Sequence, residues 1–222
     1  MKKININQAA KILYYSRVNR KKINKLPKEC SPKNAKDAYS IQDALNKIYF
    51  KNLNSKIIGK KIGCTNKEAQ KQININEPFY GNIYSKFYSK TKCHLKFKDF
   101  ISPFLEPEFS FRINKNINKF NYPISIKQIK KFIDCIIPSV ELVDSRFSDW
   151  TKAGIFNLIA DNGVNAYWIK GNEFSKIIDL TNHQVEVFIN NKFITKGNSN
   201  KVLGNPFNSL SWLINFLIKQ DK

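Results

Sequence analysis

"FLEPEFSFR", Phe104 to Arg112, sets two glutamates two residues apart around a proline inside an otherwise apolar run. Side chains of an extended chain alternate faces, so Glu106, Glu108, Ser110 and Arg112 share one face while Leu105, Phe109 and Phe111 share the other. Two carboxylates facing the same way repel, and burial would raise the pKa of at least one unless something positive lay between them. A divalent cation removes that conflict. Two oxygen ligands at i and i+2 leave room for a third and for open positions, which suits Mg²⁺ or Mn²⁺. The same tripeptide also occurs on exposed edge strands with nothing bound. Pro107, which lacks a backbone donor, predicts a sheet edge or strand end. The candidate third ligand is Glu141 in "PSVELVDSR", flanked by Val140 and Leu142 in a second β-like run where an unpaired acid is costly.

Outward from this strand the period changes. From Asn7 to about Phe50, "NQAAKILYYSRV" and "DAYSIQDALNKIYF" place apolar residues three and four apart, with the proline-bearing "LPKECSPKN" between them. From Lys56 onward, "KIIGKKIG", "SVELVD", "YWIKG" and "QVEVFINNKFITKG" are short, rich in β-formers and punctuated by Gly, Asn or Pro. The pattern predicts an α+β fold: a helical N-terminal segment over 1–55 and a β-rich core with a C-terminal helix over 56–222. A helix is predicted over 127–136, and a hairpin turning at Asn190 and Asn191. The last helix is predicted to start at Asn208 or Ser209 and to carry Leu210, Leu213, Ile214 and Leu217 on one stripe.

Composition narrows the classes. In 222 residues, 42% hydrophobic and 13% aromatic content argues for a packed globular chain. No window approaches the roughly 18 apolar residues of a membrane span, and no signal-like segment opens the chain, so the expectation is a cytoplasmic protein. Four scattered cysteines without a CxxC and only two histidines argue against zinc and for reduced thiols. The net charge of +21 would suit a polyanion partner, yet only four of the 38 basic residues are arginine, the side chain that phosphate and base recognition favours. "NIYSKFYSKTKCHLKFKDF" (82–100) interleaves aromatics with lysines as single-strand binders do. It also alternates as an ordinary strand pair with a solvated face does. Nucleic acid is therefore kept only as the alternative of another class, a lysine-rich binder without activity.

With these residues in view, the sequence resembles a known family. "DAYSIQ" (37–42), "KKIGCT" (60–65), "EPFYG" (77–81), "LEPEFSFRI" (105–113), "SVELVDSR" (139–146), "IADN" (159–162) and "VLGNPFNSLSWL" (202–213) fall in the order seen in the 2-keto-4-pentenoate hydratase and 4-oxalocrotonate decarboxylase family, within the fumarylacetoacetate hydrolase superfamily. The resemblance implies a β-rich catalytic core preceded by helices, a homo-oligomer, and short 2-oxo acids or their dienol tautomers as substrates. It implies Glu106, Glu108 and Glu141 as ligands of Mg²⁺ or Mn²⁺, and Lys61 as the lysine at the substrate pocket. Lys60 is expected to point the other way, into solvent. Asp161 and Asn162 of "IADN" are candidates for orienting a metal water or holding substrate, or for capping a turn before Gly163. Gly197 and Ser199 lie where the family has a small-residue loop near the pocket, with Ser199 a candidate substrate contact. Arg146 is a candidate for binding a distal carboxylate, with an ion pair to Asp144 or another acid the favoured reading. Where family hydratases often carry an acid after the proline of "EPFYG", this chain has Phe79. The resemblance thus implies a hydratase, with a decarboxylase on the same scaffold as the alternative.

Overall fold

A computed structural model describes residues 1–114, 117 and 122–221. Helices α1 (Lys3–Asn19) and α2 (Ala35–Leu53) open the chain, and Asn34 caps α2 by accepting from the Asp37 amide at 2.9 Å. Their apolar faces meet: Ala9, Ala10 and Leu13 of α1 and Ile41, Leu45 and Tyr49 of α2 are buried in one cluster. The same cluster takes in Phe79 and Tyr84 of β2 (Phe79–Tyr84) and Leu158 and Ile159 of α6 (Ile155–Ala160). Each buried Leu, Ile or Phe side chain contributes roughly 1.5–3 kcal/mol.

Strand β1 (Ile57–Gly63) pairs antiparallel with β2, and short α3 (Lys67–Gln72) lies between them in sequence. The main sheet has four strands in the order β3, β6, β5, β4, with ranges Tyr88–Lys90, Asn165–Lys170, Ile133–Val143 and Phe104–Ile113. The β3–β6 pair is parallel and the others antiparallel. Strand β4 stands at the edge, where Pro107 costs no ladder bond. Strand β5 is buried along nearly its whole length, as its run of Ile, Cys and Leu requires. A second cluster packs α7 (Pro206–Lys219), through Phe207, Leu210 and Ile214, against Ile129, Ile133 and Ile136. Hairpin β7–β8 (Gln184–Ile189 and Lys192–Asn198) turns at Asn190 and Asn191, both with positive φ, as a tight two-residue turn demands. Short α5 (Trp150–Ala153) precedes α6.

Three local expectations are corrected. Residues 127–136 are not one helix: α4 spans only Ile126–Ile129, a 3-10 turn follows over Lys130–Phe132, and β5 begins at Ile133. The Ser125–Gln128 capping box explains the start, and the β-branched alternation from Ile133 ends it. Helix α7 begins earlier than Asn208, with Asn205 as N-cap accepting from the Phe207 amide and Pro206 in the first turn. The stretch 82–100 does not fold back on itself; β2 pairs with β1, and β3 with β6.

Candidate metal centre and its cavity

The antiparallel register sets Glu106 directly opposite Glu141, and Glu108 opposite Ser139. All three carboxylates therefore rise from one face of the sheet, and one oxygen from each lies within 4.8 Å of the others. Like charges directly across a ladder destabilise it. Burial, with repulsion from Glu141 and Glu106, holds the Glu108 carboxyl well above the usual range. Burial also raises Glu141, against the pull of Lys61. Glu141 is 1% exposed; Asn165 Nδ2 donates to its Oε1 at 2.7 Å, and Oε2 has no hydrogen-bond partner among the described residues. An all-oxygen set with a buried orphan acceptor fits a hard divalent cation such as Mg²⁺.

Protons and such an ion compete for the same oxygens. Mn²⁺ affinity is expected to climb with pH through the raised Glu108 and Glu141 values and to fall below them, because the ligands bind metal only when deprotonated. Mn²⁺ titrations at several pH values check this, and an affinity that stays flat as pH rises from the ordinary carboxylate range would contradict it.

Lys61 reaches the trio from the other sheet. Its Nζ lies 3.4 Å from Glu141 Oε2, and the residue is 6% exposed. Burial works against its charge, but Glu141, Glu106 and Glu108 outweigh that and raise its pKa, so it stays an ammonium. Its path depends on two glycines. Lys61 pairs with Gly81, where a Cβ would stand 2.2 Å from the Asn162 carbonyl oxygen, and its stem runs 3.1 Å from where a Gly163 Cβ would be. The Phe79 ring, 4% exposed, forms the adjacent wall with its centroid 5.8 Å from Lys61 Nζ. Lys60 does point away from Lys61, yet it is half-buried, donating to Asn82 Oδ1 at 2.8 Å with its ammonium over the Tyr80 ring.

The other candidates part company. Ser199 lines the cavity, and its Oγ accepts from the His183 amide at 2.7 Å. Asp161 is fully buried against Arg146: one carboxylate oxygen takes the Arg146 Nε–H and the other the backbone amide at 3.0 Å. Arg146 thus pairs with Asp161, while Asp144 accepts from the amides of Ile101 and Ser102. Asn162, also fully buried, bonds both ways with the backbone of Asn82 at 2.8 and 2.9 Å, clamping β2. Asp161 and Asn162 therefore carry frame contacts rather than facing the cavity. Asp161→Ala, which strands a buried guanidinium, is expected to cost about 3–5 kcal/mol. That is roughly a 10 °C fall in the unfolding midpoint. Lost turnover at an unchanged midpoint would instead make Asp161 a substrate contact.

The cavity over the trio has a volume of about 840 Å³ and is walled mostly by apolar groups, among them Phe79, Leu158 and Val164. Two residues of this neighbourhood carry no motif in the sequence. Trp168 stands across the ladder from Glu141, stacks on Tyr88 with centroids 5.4 Å apart, and has an indole N–H without a partner among the described residues. Asn165 holds Glu141. Only the strand pairing, invisible in a single sequence, brings either one there.

No family model matches the chain. It is 25% identical over 222 residues to a 2-keto-4-pentenoate hydratase of Paraburkholderia phymatum, covering 96% of this chain and 81% of that protein. It is 27% identical over 220 residues to a 2-hydroxypent-2,4-dienoate hydratase of Pseudomonas putida, covering 98% and 97%. The solved 4-oxalocrotonate decarboxylase from Pseudomonas putida G7, complexed with magnesium and adipate, shares the fold with a TM-score of 0.89 at 23% identity, over 100% of this chain and 84% of that one. The chain is thus similar, nearly end to end, to hydratases of 2-keto-4-pentenoate and its dienol, on a fold that it shares with a 4-oxalocrotonate decarboxylase.

Proposed function

We propose that the chain is a divalent-metal-dependent lyase that hydrates a short 2-oxo acid presented as its dienol, of the 2-hydroxypenta-2,4-dienoate type. The observation that carries this reading is the Glu106, Glu108 and Glu141 cluster with the Lys61 ammonium beside it. Those three residues would hold Mg²⁺ or Mn²⁺, which supplies Lewis-acid polarisation of the substrate's 2-oxo oxygen. Lys61 attracts the substrate carboxylate and presents a proton donor beside it. The Ser199 hydroxyl, its lone pair already engaged by His183, keeps its proton to donate into the cavity. The apolar wall excludes bulk water and strengthens each of these interactions. In this reading 1–55 is the helical frame and 56–222 carries the chemistry.

Phe79 supports a second reading, decarboxylation. Hydration needs a group to handle the protons of the added water at the distal carbon, and Phe79 presents an apolar ring to that space. A 2-oxo-3-enedioate needs no such group: the bond to its distal carboxylate breaks, CO₂ leaves, and the electron pair moves through the conjugated carbons to the 2-oxo oxygen, which takes up a proton. The assay is the purified protein with Mn²⁺ and 2-hydroxypenta-2,4-dienoate, following the dienol's ultraviolet absorbance and identifying the product. Formation of 4-hydroxy-2-oxopentanoate is expected. No turnover of the dienol, with CO₂ released from the enedioate, would select the second reading; turnover of neither would overturn both.

The same proposal places the enzyme in the cytoplasm as a homo-oligomer. All four cysteines are free, which suits a reducing compartment, and no helix among the described residues is long and apolar enough to cross a membrane. Phe188, Ile189, Phe193 and Ile194 at the tip of β7–β8 are each about half exposed, which favours association between copies.

A further inference from the structure

The start of β6 departs from a regular ladder beside the carboxylates. Glu141 pairs with Trp168 and Leu142 with Tyr167, but Val143 then pairs with Asn165 and skips Ala166. This is a β-bulge, one extra residue on one strand. Its consequence follows from side-chain parity. Glu141 and Val143 share a face, so the residue opposite Val143 is presented on the face of Glu141. In an unbroken register that residue would be Ala166, and Asn165 would turn to the other face. The extra residue brings Asn165 round to Glu141, where Nδ2 donates to Oε1 at 2.7 Å, with both residues 1% exposed.

A bulge leaves backbone groups without ladder partners, and buried carbonyls need donors. The donors come from the far end of the chain. Arg17, in the last turn of α1, donates through Nη1 to the Asn165 carbonyl at 3.0 Å and through Nη2 to the Ala166 carbonyl. Its guanidinium lies 3.7 Å over the Phe87 ring, which fixes the fork. A planar fork with paired donors suits two successive carbonyls, and a lysine ammonium would not replace it.

From this geometry, and resting on the metal reading above, we infer that Arg17, the Ala166 bulge and Asn165 form a positioning relay that sets the orientation of Glu141. Asn165 occupies Oε1 and so leaves Oε2, the oxygen beside Lys61, as the one free for a cation. Without the Asn165 donor the carboxylate rotates and its two oxygens compete for Lys61. The N-terminal helix thereby tunes the affinity of a site to which it contributes no ligand.

The test is Mn²⁺ binding, read from the electron paramagnetic resonance signal of the free ion, together with the unfolding midpoint in chelator. Asn165→Leu keeps size and removes the donor. It is expected to weaken Mn²⁺ about 10- to 100-fold, the usual effect of losing a partner that orients a metal ligand. Arg17→Lys acts one step further back and should weaken Mn²⁺ in the same direction by less. Asn157→Leu, which removes the amide that donates to the Ala153 carbonyl, should lower the midpoint and leave Mn²⁺ affinity unchanged. If Asn165→Leu does not fold, Arg17→Lys decides. Wild-type affinity in the folded variants, within about twofold, would overturn the relay while leaving the metal reading intact. A wild-type protein that binds no Mn²⁺ would overturn both.

Discussion

Glu141→Ala is expected to abolish both metal binding and turnover. Glu141 is the most buried of the three carboxylates, lies directly across the ladder from Glu106, and presents an oxygen with no hydrogen-bond partner among the described residues, with the Lys61 ammonium 3.4 Å from it. Its removal takes away one ligand and the counter-charge of Lys61 together. A bound Lewis acid contributes several kcal/mol of charge stabilisation, so kcat/KM should fall on the order of a thousandfold or more. Glu108→Gln separates affinity from stability. Burial and repulsion raise the Glu108 pKa, so its ionised form costs the metal-free protein stability that is intact below the ordinary carboxylate value and lost as pH rises through the raised one. At neutral pH the metal-free Glu108→Gln protein should therefore melt higher than the wild type while gaining nothing from added Mn²⁺. A variant that melts lower in chelator would contradict the strained trio.

Lys61→Met carries the second large effect. Methionine keeps the length of the stem past Gly163 and the contact with Phe79, so the loss isolates the ammonium. A positioned proton donor contributes typically 10²–10⁴-fold, and kcat/KM should fall within about that range. Mn²⁺ binding should persist, because removing a cation beside the trio takes away a competitor for Glu141 rather than a ligand. In chelator, however, Lys61→Met leaves Glu141 buried without its partner, and the unfolding midpoint should drop. Retained turnover in the variant would remove Lys61 from the chemistry.

How far the sequence reveals this arrangement differs from residue to residue. Glu106 and Glu108 are legible because strand parity is a local property, and Glu141 because an acid between Val140 and Leu142 is costly without a reason. Pro107 marks the edge strand by the donor it lacks. Lys61 is singled out by its motif, while the two glycines that clear its path are recognisable only once Asn162 and Gly163 are seen against β1 and β2. Asp161 shows the limit of such reading. A buried acid looks the same in sequence whether it faces a substrate or a guanidinium, and here Arg146 lies fifteen residues away in sequence and in direct contact. The 127–136 segment is ambiguous in sequence because a capped helical turn runs straight into a central strand of similar composition. Asn165 leaves no sequence signal, since a bulge exists only in the pairing of two strands and its support arrives from α1. The α7 start is legible in Asn205 followed by Pro206, a stronger cap than Asn208, which instead donates to the Leu203 carbonyl.

The central claim is that the trio of glutamates holds a divalent ion. Diffraction from crystals soaked in Mn²⁺, with data collected at the manganese edge, tests it most directly. The expected result is one strong anomalous peak about 2.1–2.2 Å from an oxygen of each of Glu106, Glu108 and Glu141, lost in crystals of Glu141→Ala. No peak among the three carboxylates, or a peak held by other groups while the protein still turns over the dienol, would contradict the account.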